Sequence, residues 1–188
     1  VSGIGERLAR VATRQDVPYT FKVIDAPDMV NAFALPGGNM YVYTGLLKLM
    51  ENEAELAGVM AHEIAHVAAH HHGETLTRQY GYEVLAGLIL GRNPGAAAQL
   101  AADLVGKTVA SRYSREQERE ADALGMEFLF RAGFNPNGMV SFMQKMQAME
   151  AREGGARWFP IFASHPPTQE RLQNLQALIL RYPPDLVA

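Results

Sequence analysis

Val59–Glu74 reads VMAHEIAHVAAHHHGE and carries five of the chain's six histidines: His62, His66, His70, His71 and His72. The residues between them are mostly small and apolar, which reads as a long helix on a close-packed face. Imidazoles on such a face need a metal ion or polar partners. The chain has no cysteine. Disulfides and thiol chemistry are therefore excluded, and any metal must be held by His, Asp and Glu.

His62 and His66 stand four residues apart, so a helix projects both from one face about one turn apart. Both rings can reach one ion, and Glu63, about 100° round the helix, can act on water beside it without being a ligand. This is the HExxH pattern of zinc hydrolases, with the Glu as general base. A chance match on a buried helix is the alternative. His70 lies ~12 Å along the axis from His62, too far to share the ion. His72 has the spacing of a third ligand in the pattern HExxHxxGxxH, but Ala69 stands where that pattern needs Gly, and Ala favours continuing the helix. His70, His71 and His72 therefore read as a peripheral cluster at the helix C-terminus, favourable to its dipole when charged.

If the third ligand is not a histidine it should be a carboxylate, and Tyr113–Phe130 (YSREQEREADALGMEFLF) offers five. With Glu118 at 0° and ~100° per residue, Ala121, Leu124, Gly125, Phe128 and Leu129 share its side of the helix. Glu116, Glu120 and Glu127 fall near 160–200°, on the solvated side. Asp122 lies one turn beyond Glu118 at about 40°. A carboxylate on a buried face must be ion-paired or bind metal. Beside HExxH the reading is Glu118 as third ligand, with Asp122 fixing the tautomer of a ligand histidine. An arginine ion pair is the alternative. Two His and one Glu leave a position open, as catalytic rather than structural zinc does.

Elsewhere, Gly5–Arg14 reads as an amphipathic helix, and Tyr19–Ile24, Met29–Leu35 and Asn39–Thr44 read as strands around the turn Pro36-Gly37-Gly38. Gly45–Met50 is a short helical turn. Asn52 and Glu55 resemble a capping box opening a helix to about His72, with Gly73 as its stop. Further helices are expected at 82–91, 95–111, 114–132, 137–152 and 168–181. The fold class is α+β, a small three-stranded sheet on a mostly helical body, in one domain over 1–188. The start at Val1, without a signal-peptide pattern, suggests a mature form or an excised domain. A net charge of −3 argues against a nucleic-acid partner. Val84–Leu90, the longest apolar run near the middle, is far short of the ~20 residues a membrane span needs. Gly95–Gly106 reads as a close-packed helix, a cover for the cleft, or a contact with a membrane surface. His165, ahead of Pro166-Pro167, is either a turn residue or a site residue.

HEIAH at 62–66 with Glu118–Asp122 as ExxxD resembles the gluzincin metallopeptidases. Closer still, it resembles the family of the CAAX prenyl protease and the HtpX heat-shock protease. NAFALPGGNMYVYTGLL (Asn31–Leu47), SRYSREQEREADALG and SHPPTQERL (Ser164–Leu172) are similar to that family's edge strand and hairpin, third-ligand helix and C-terminal motif. The resemblance spans roughly residues 1–182 and is best to the BepA-like members of bacterial envelopes. It implies a zincin-type fold and one Zn²⁺ on His62, His66 and Glu118. It places His165 beside the ion, either donating to the oxyanion or as a fourth ligand. It sets Arg171 near the site as a brace, against the alternative of a surface arginine. It makes Asn31-Ala32-Phe33-Ala34 the strand that pairs with an extended substrate, which is compatible with a core strand. The expected function is a zinc metalloendopeptidase acting on unfolded or misassembled proteins in the periplasm or cell envelope. The alternatives are a chaperone-like zinc-binding module with a blocked site and a zinc hydrolase of other bonds.

Overall fold

The computed structural model describes residues 1–75, 77–78, 81, 113–153 and 159–183. The helices expected at 82–91 and 95–111, and with them Val84–Leu90 and Gly95–Gly106, lie outside the described residues. The described chain runs α1 (Ser2–Val11), β1 (Thr20–Ile24), β2 (Ala32–Ala34), β3 (Asn39–Tyr43), α2 (Thr44–Leu47), α3 (Glu53–Ala68), α4 (Arg115–Arg131), α5 (Asn137–Glu153), α6 (Pro160–Ser164) and α7 (Gln169–Ile179). This is the expected α+β class, a small sheet on a helical body. Among the described residues no helix is long and apolar enough to cross a membrane.

The sheet has the order β1-β3-β2, with β1 parallel and β2 antiparallel to β3. Gly38, at φ 84°, supplies the left-handed residue of the β2–β3 turn, and its amide donates to Leu35 O at 2.8 Å. β2 is shorter than the strand expected over Met29–Leu35. The Met29 amide is spent in a turn on Ala26 O, and Val30 O accepts from Ile161 N in the helix above. Tyr43 N donates to Asn31 O and Leu35 N to Asn39 O. Asn31, Phe33 and Leu35 therefore face β3, and Ala32 and Ala34 turn their backbone groups away from it.

The centre of the molecule is α3, buried from Glu55 to Ala68 and packed on α1, α4, α5 and β2. Its small residues let the neighbours close in. A Cβ on Gly125 of α4 would stand 3.2 Å from His62 N and 3.3 Å from Ala61 C, so the two helices touch almost backbone to backbone there. Asn52 caps α3 by accepting from Glu55 N at 3.0 Å. The Glu55 carboxylate returns to Glu51 N, one residue before a reciprocal capping box would have it, and pairs with Lys145 Nζ at 2.7 Å.

α3 does not run on to His72. It ends at Ala68, with Ala69 as cap, and His70 takes the left-handed conformation at φ 60°. Helix resumes at His71. Gly73 is not the stop. The helix is broken by the residue after Ala69, and histidine, with asparagine and aspartate, is among the side chains that tolerate φ > 0.

Candidate metal centre

His62 and His66 point from one face of α3, their Nε2 atoms 3.0 Å apart. Glu118 of α4 brings Oε1 to 3.3 Å from His66 Nε2 and Oε2 to 3.5 Å from His62 Nε2. His165, the residue that closes α6, brings Nδ1 to 3.2 Å from His62 Nε2 and 2.9 Å from Glu118 Oε1. All four side chains are buried and their donor atoms lie within 4.8 Å of one another. Ligand atoms bonded to a tetrahedral zinc at ~2.0–2.1 Å stand about 3.3–3.4 Å apart. The observed spacings bracket that value, so the residues fit a metal ion, with His165 Nδ1 as the fourth donor of the cluster.

Charge points the same way. Glu63, Glu118 and Asp122 are all buried, and among the described residues Arg171 is the permanent cation that touches this group. Two negative charges are left for protonated imidazoles or a dication to neutralise. Arg171 grips Asp122 with Nη2 at 2.7 Å and Nε at 2.9 Å, and its Nη1 lies 2.6 Å from Glu118 Oε2. The last contact is short but not aligned as a hydrogen bond, and Glu118 Oε2 keeps its acceptor capacity. His62 Nδ1 lies 2.9 Å from Asp122 Oδ1, likewise close but poorly aligned.

These neighbours set the protonation states. Burial pushes Glu63 above the ordinary carboxylate range, against the pull of His165, His62 and the Ala34 amide. Burial acts the same way on Glu118, but His165, Arg171 and His62 overcome it and hold that carboxyl well below its usual range. Burial drives His66 well below the ordinary histidine value, which keeps the ring neutral. Burial lowers His62 too, but the Glu118 and Asp122 carboxylates outweigh it and raise the ring to about 9.

Glu63 is held at both oxygens, with Oε2 accepting from Ala34 N at 3.3 Å and Oε1 3.2 Å from His165 Nε2. The expected substrate strand therefore runs past Glu63, with Ala32 and Ala34 turned away from β3 and Asn31 and Phe33 turned toward it. Asp122 and Arg171 are both brought to the cluster. Of the other acids on α4, Glu116, Glu120 and Glu127 are exposed, as helical phase requires.

The histidine triplet differs from the expectation. Only His70 is exposed. The turn at His70 folds the chain back, and His71 Nδ1 comes to 2.9 Å from His66 Nδ1. His72 Nε2 donates to Ala34 O at 2.8 Å. His71 and His72 are thus buried in the site rather than peripheral, although neither belongs to the four-donor cluster. Tyr113 also goes unsignalled by the sequence. Its ring stacks on His66, centroids 3.8 Å apart, and on His165 at 5.3 Å. The spacing of His71, five residues after His66, becomes informative only once a left-handed residue is placed between them.

The sequence profile of peptidase family M48 matches residues 1–179. The chain is 32% identical over 184 residues to metalloprotease YcaL of Escherichia coli strain K12, covering 93% of this chain and 70% of that protein. It is 32% identical over 184 residues to the beta-barrel assembly-enhancing protease of the same organism, covering 93% of this chain and 37% of that one. It is also 30% identical over 176 residues to the mitochondrial metalloendopeptidase OMA1 of Schizosaccharomyces pombe, and spans 51% of that protein's length.

Proposed function

This chain belongs to peptidase family M48, and on that premise we propose that it is a zinc-dependent endopeptidase domain that cleaves unfolded or misassembled proteins of the bacterial cell envelope. The observation that carries the reading is the convergence of His62, His66, Glu118 and His165 on one point, with the Glu63 carboxylate beside it. The envelope setting rests on the relatives named for beta-barrel assembly.

His62, His66 and Glu118 hold the ion. Zinc held there acidifies water and polarises a carbonyl. Glu63 accepts the proton as water attacks the scissile carbonyl and passes it to the leaving amine. Its burial-raised carboxyl suits both tasks. Asp122 keeps the proton of His62 on Nδ1 and so leaves Nε2 for the metal. Arg171 braces Asp122 and Glu118 against each other. The substrate adds as a strand to the edge of β2 within Asn31–Ala34, where Ala32 turns its backbone groups outward and backbone pairing binds a peptide with little demand on its sequence.

His165 has two tasks. In the arrangement seen, its Nδ1 lies among the donors of His62 and Glu118, where it would take the fourth position on a bound ion, and its Nε2 lies 3.2 Å from Glu63 Oε1. Turned out of that position, the ring donates to the oxyanion of the tetrahedral intermediate. The first arrangement also favours a second reading, a zinc-binding interaction module whose site stays blocked.

The deciding experiment measures bound metal, then cleavage of an unfolded protein by wild type, Glu63→Gln and His165→Ala. Wild-type cleavage lost by about 10²–10⁴-fold in Glu63→Gln, with zinc retained, is the expected result. Zinc bound without Glu63-dependent cleavage, even in His165→Ala, establishes the module instead.

A further inference from the structure

The two ligand histidines of α3 are supported differently. His62 has Asp122 directly behind its Nδ1, 2.9 Å away. Among the described residues no carboxylate stands in that place behind His66. Behind its Nδ1 is His71 Nδ1 at 2.9 Å, and behind His71 Nε2 is Glu120 Oε2 at 3.3 Å.

The proton positions along this line follow from its outer end. An ionised carboxylate can only accept, so His71 carries its proton on Nε2 and donates it to Glu120. With the His71 proton turned toward Glu120, its Nδ1 faces His66 as the acceptor for His66 Nδ1–H. His66 Nε2 is left as the lone pair that faces Glu118 and His62. His71 is 1% exposed, whereas the Glu120 side chain is 60% exposed. The line therefore runs from the metal centre to the protein surface.

Two further contacts hold it in place. Gln117 Nε2 donates to Glu74 Oε2 at 3.0 Å, tying α4 to the turn that carries His71. Tyr113 covers the face of the His66 ring.

We propose that His71 is the positioning residue for His66, and that Glu120, acting through His71, fixes the His66 tautomer in the form that binds metal. Glu120 lies on the exposed side of α4, where an acid reads as ordinary surface. Its part here is indirect: it touches neither the ion nor His66. The proposal rests on the reading of His66 as a zinc ligand, but not on cleavage.

The test is zinc affinity by competition with a chelator, together with histidine tautomers from long-range ¹H–¹⁵N correlations. Wild type is compared with His71→Phe, His71→Gln and Glu120→Ala. His71→Phe fills the space without an acceptor, and affinity is expected to fall about 10–100-fold. His71→Gln restores an acceptor and should recover most of that loss. Glu120→Ala, at an exposed position, should weaken binding by a few fold and broaden or split the His66 ring signals. Equal affinity in wild type and His71→Phe, or no recovery in a folded His71→Gln, overturns the proposal. A wild type that binds no zinc overturns the reading it rests on as well.

Discussion

Arg171 holds Asp122 at two points, with Nη2 2.7 Å from Oδ1 and Nε 2.9 Å from Oδ2, in a buried pocket between α4 and α7. Two carboxylates, Asp122 and Glu118, depend on that guanidinium. Removing one partner of a buried ion pair costs about 3–5 kcal/mol, because the other charge is stranded. Arg171→Met should lower the stability of the metal-free protein by that order, read from the urea midpoint. Arg171→Lys should recover only part of it, since an ammonium cannot make the two-point contact.

Glu118 and Glu120 lie on the same helix, two residues apart, with opposite exposure. Glu118→Ala should abolish stoichiometric zinc, measured by elemental analysis after dialysis. Glu120→Ala should retain the ion with weaker affinity. Loss of zinc in Glu120→Ala with retention in Glu118→Ala would reverse the ligand assignment.

His72 provides a pH signature. Burial depresses its ring to about 4, against the help of its bond to Ala34 O. Between about 6.5 and 4 the unfolded chain takes up a proton that the folded ring refuses, so stability falls as pH falls through this window. The loss amounts to an order of 3 kcal/mol by pH 4. His72→Gln should flatten the metal-free stability curve in that range. His62 has the opposite sign. Its ring is raised to about 9, so its contribution is complete below about 6.5 and disappears as pH rises through 9. The Asp122 carboxyl is lowered, as burial is outweighed by Arg171 and His62, and its contribution is lost only below the ordinary carboxylate range.

His70 sits at φ 60°. A β-branched side chain there is a conformational outlier, and His70→Val should cost roughly 1–2 kcal/mol. It should weaken zinc binding as well, because the same turn aims His71 at His66. His70→Gly should be neutral or slightly stabilising, as the relieved strain is offset by unfolded-state entropy. Thermal unfolding of the three proteins ranks them.

Periodicity made α3 and α4 readable, and with them the separation of Glu118 and Asp122 from Glu116, Glu120 and Glu127. Helical phase depends on one element at a time, so it carries over directly to the fold. The histidine triplet departs from its periodic reading for the complementary reason. Ala69 argues for a continuing helix, and no glycine marks the break, yet the adjacent histidine accepts the left-handed conformation. α6 also went unread, because Pro160 at its start and Pro166-Pro167 beyond it look like loop. The clasp of Arg171 on Asp122 joins residues 49 positions apart. No local pattern encodes such a pairing, and only the resemblance brought Arg171 toward the site.

The near contact of main chains at Gly125 has a mechanical consequence. Two donors come from α3 and one from α4, and no side chain of any length separates the helices at the level of His62. The jaw made by His62, His66 and Glu118 therefore has a fixed gauge. The fourth donor of the cluster, His165, comes instead from the end of a five-residue helix. Selection acting on the range of substrates should thus work through the approach of that residue and the edge of β2, and leave the span between α3 and α4 untouched.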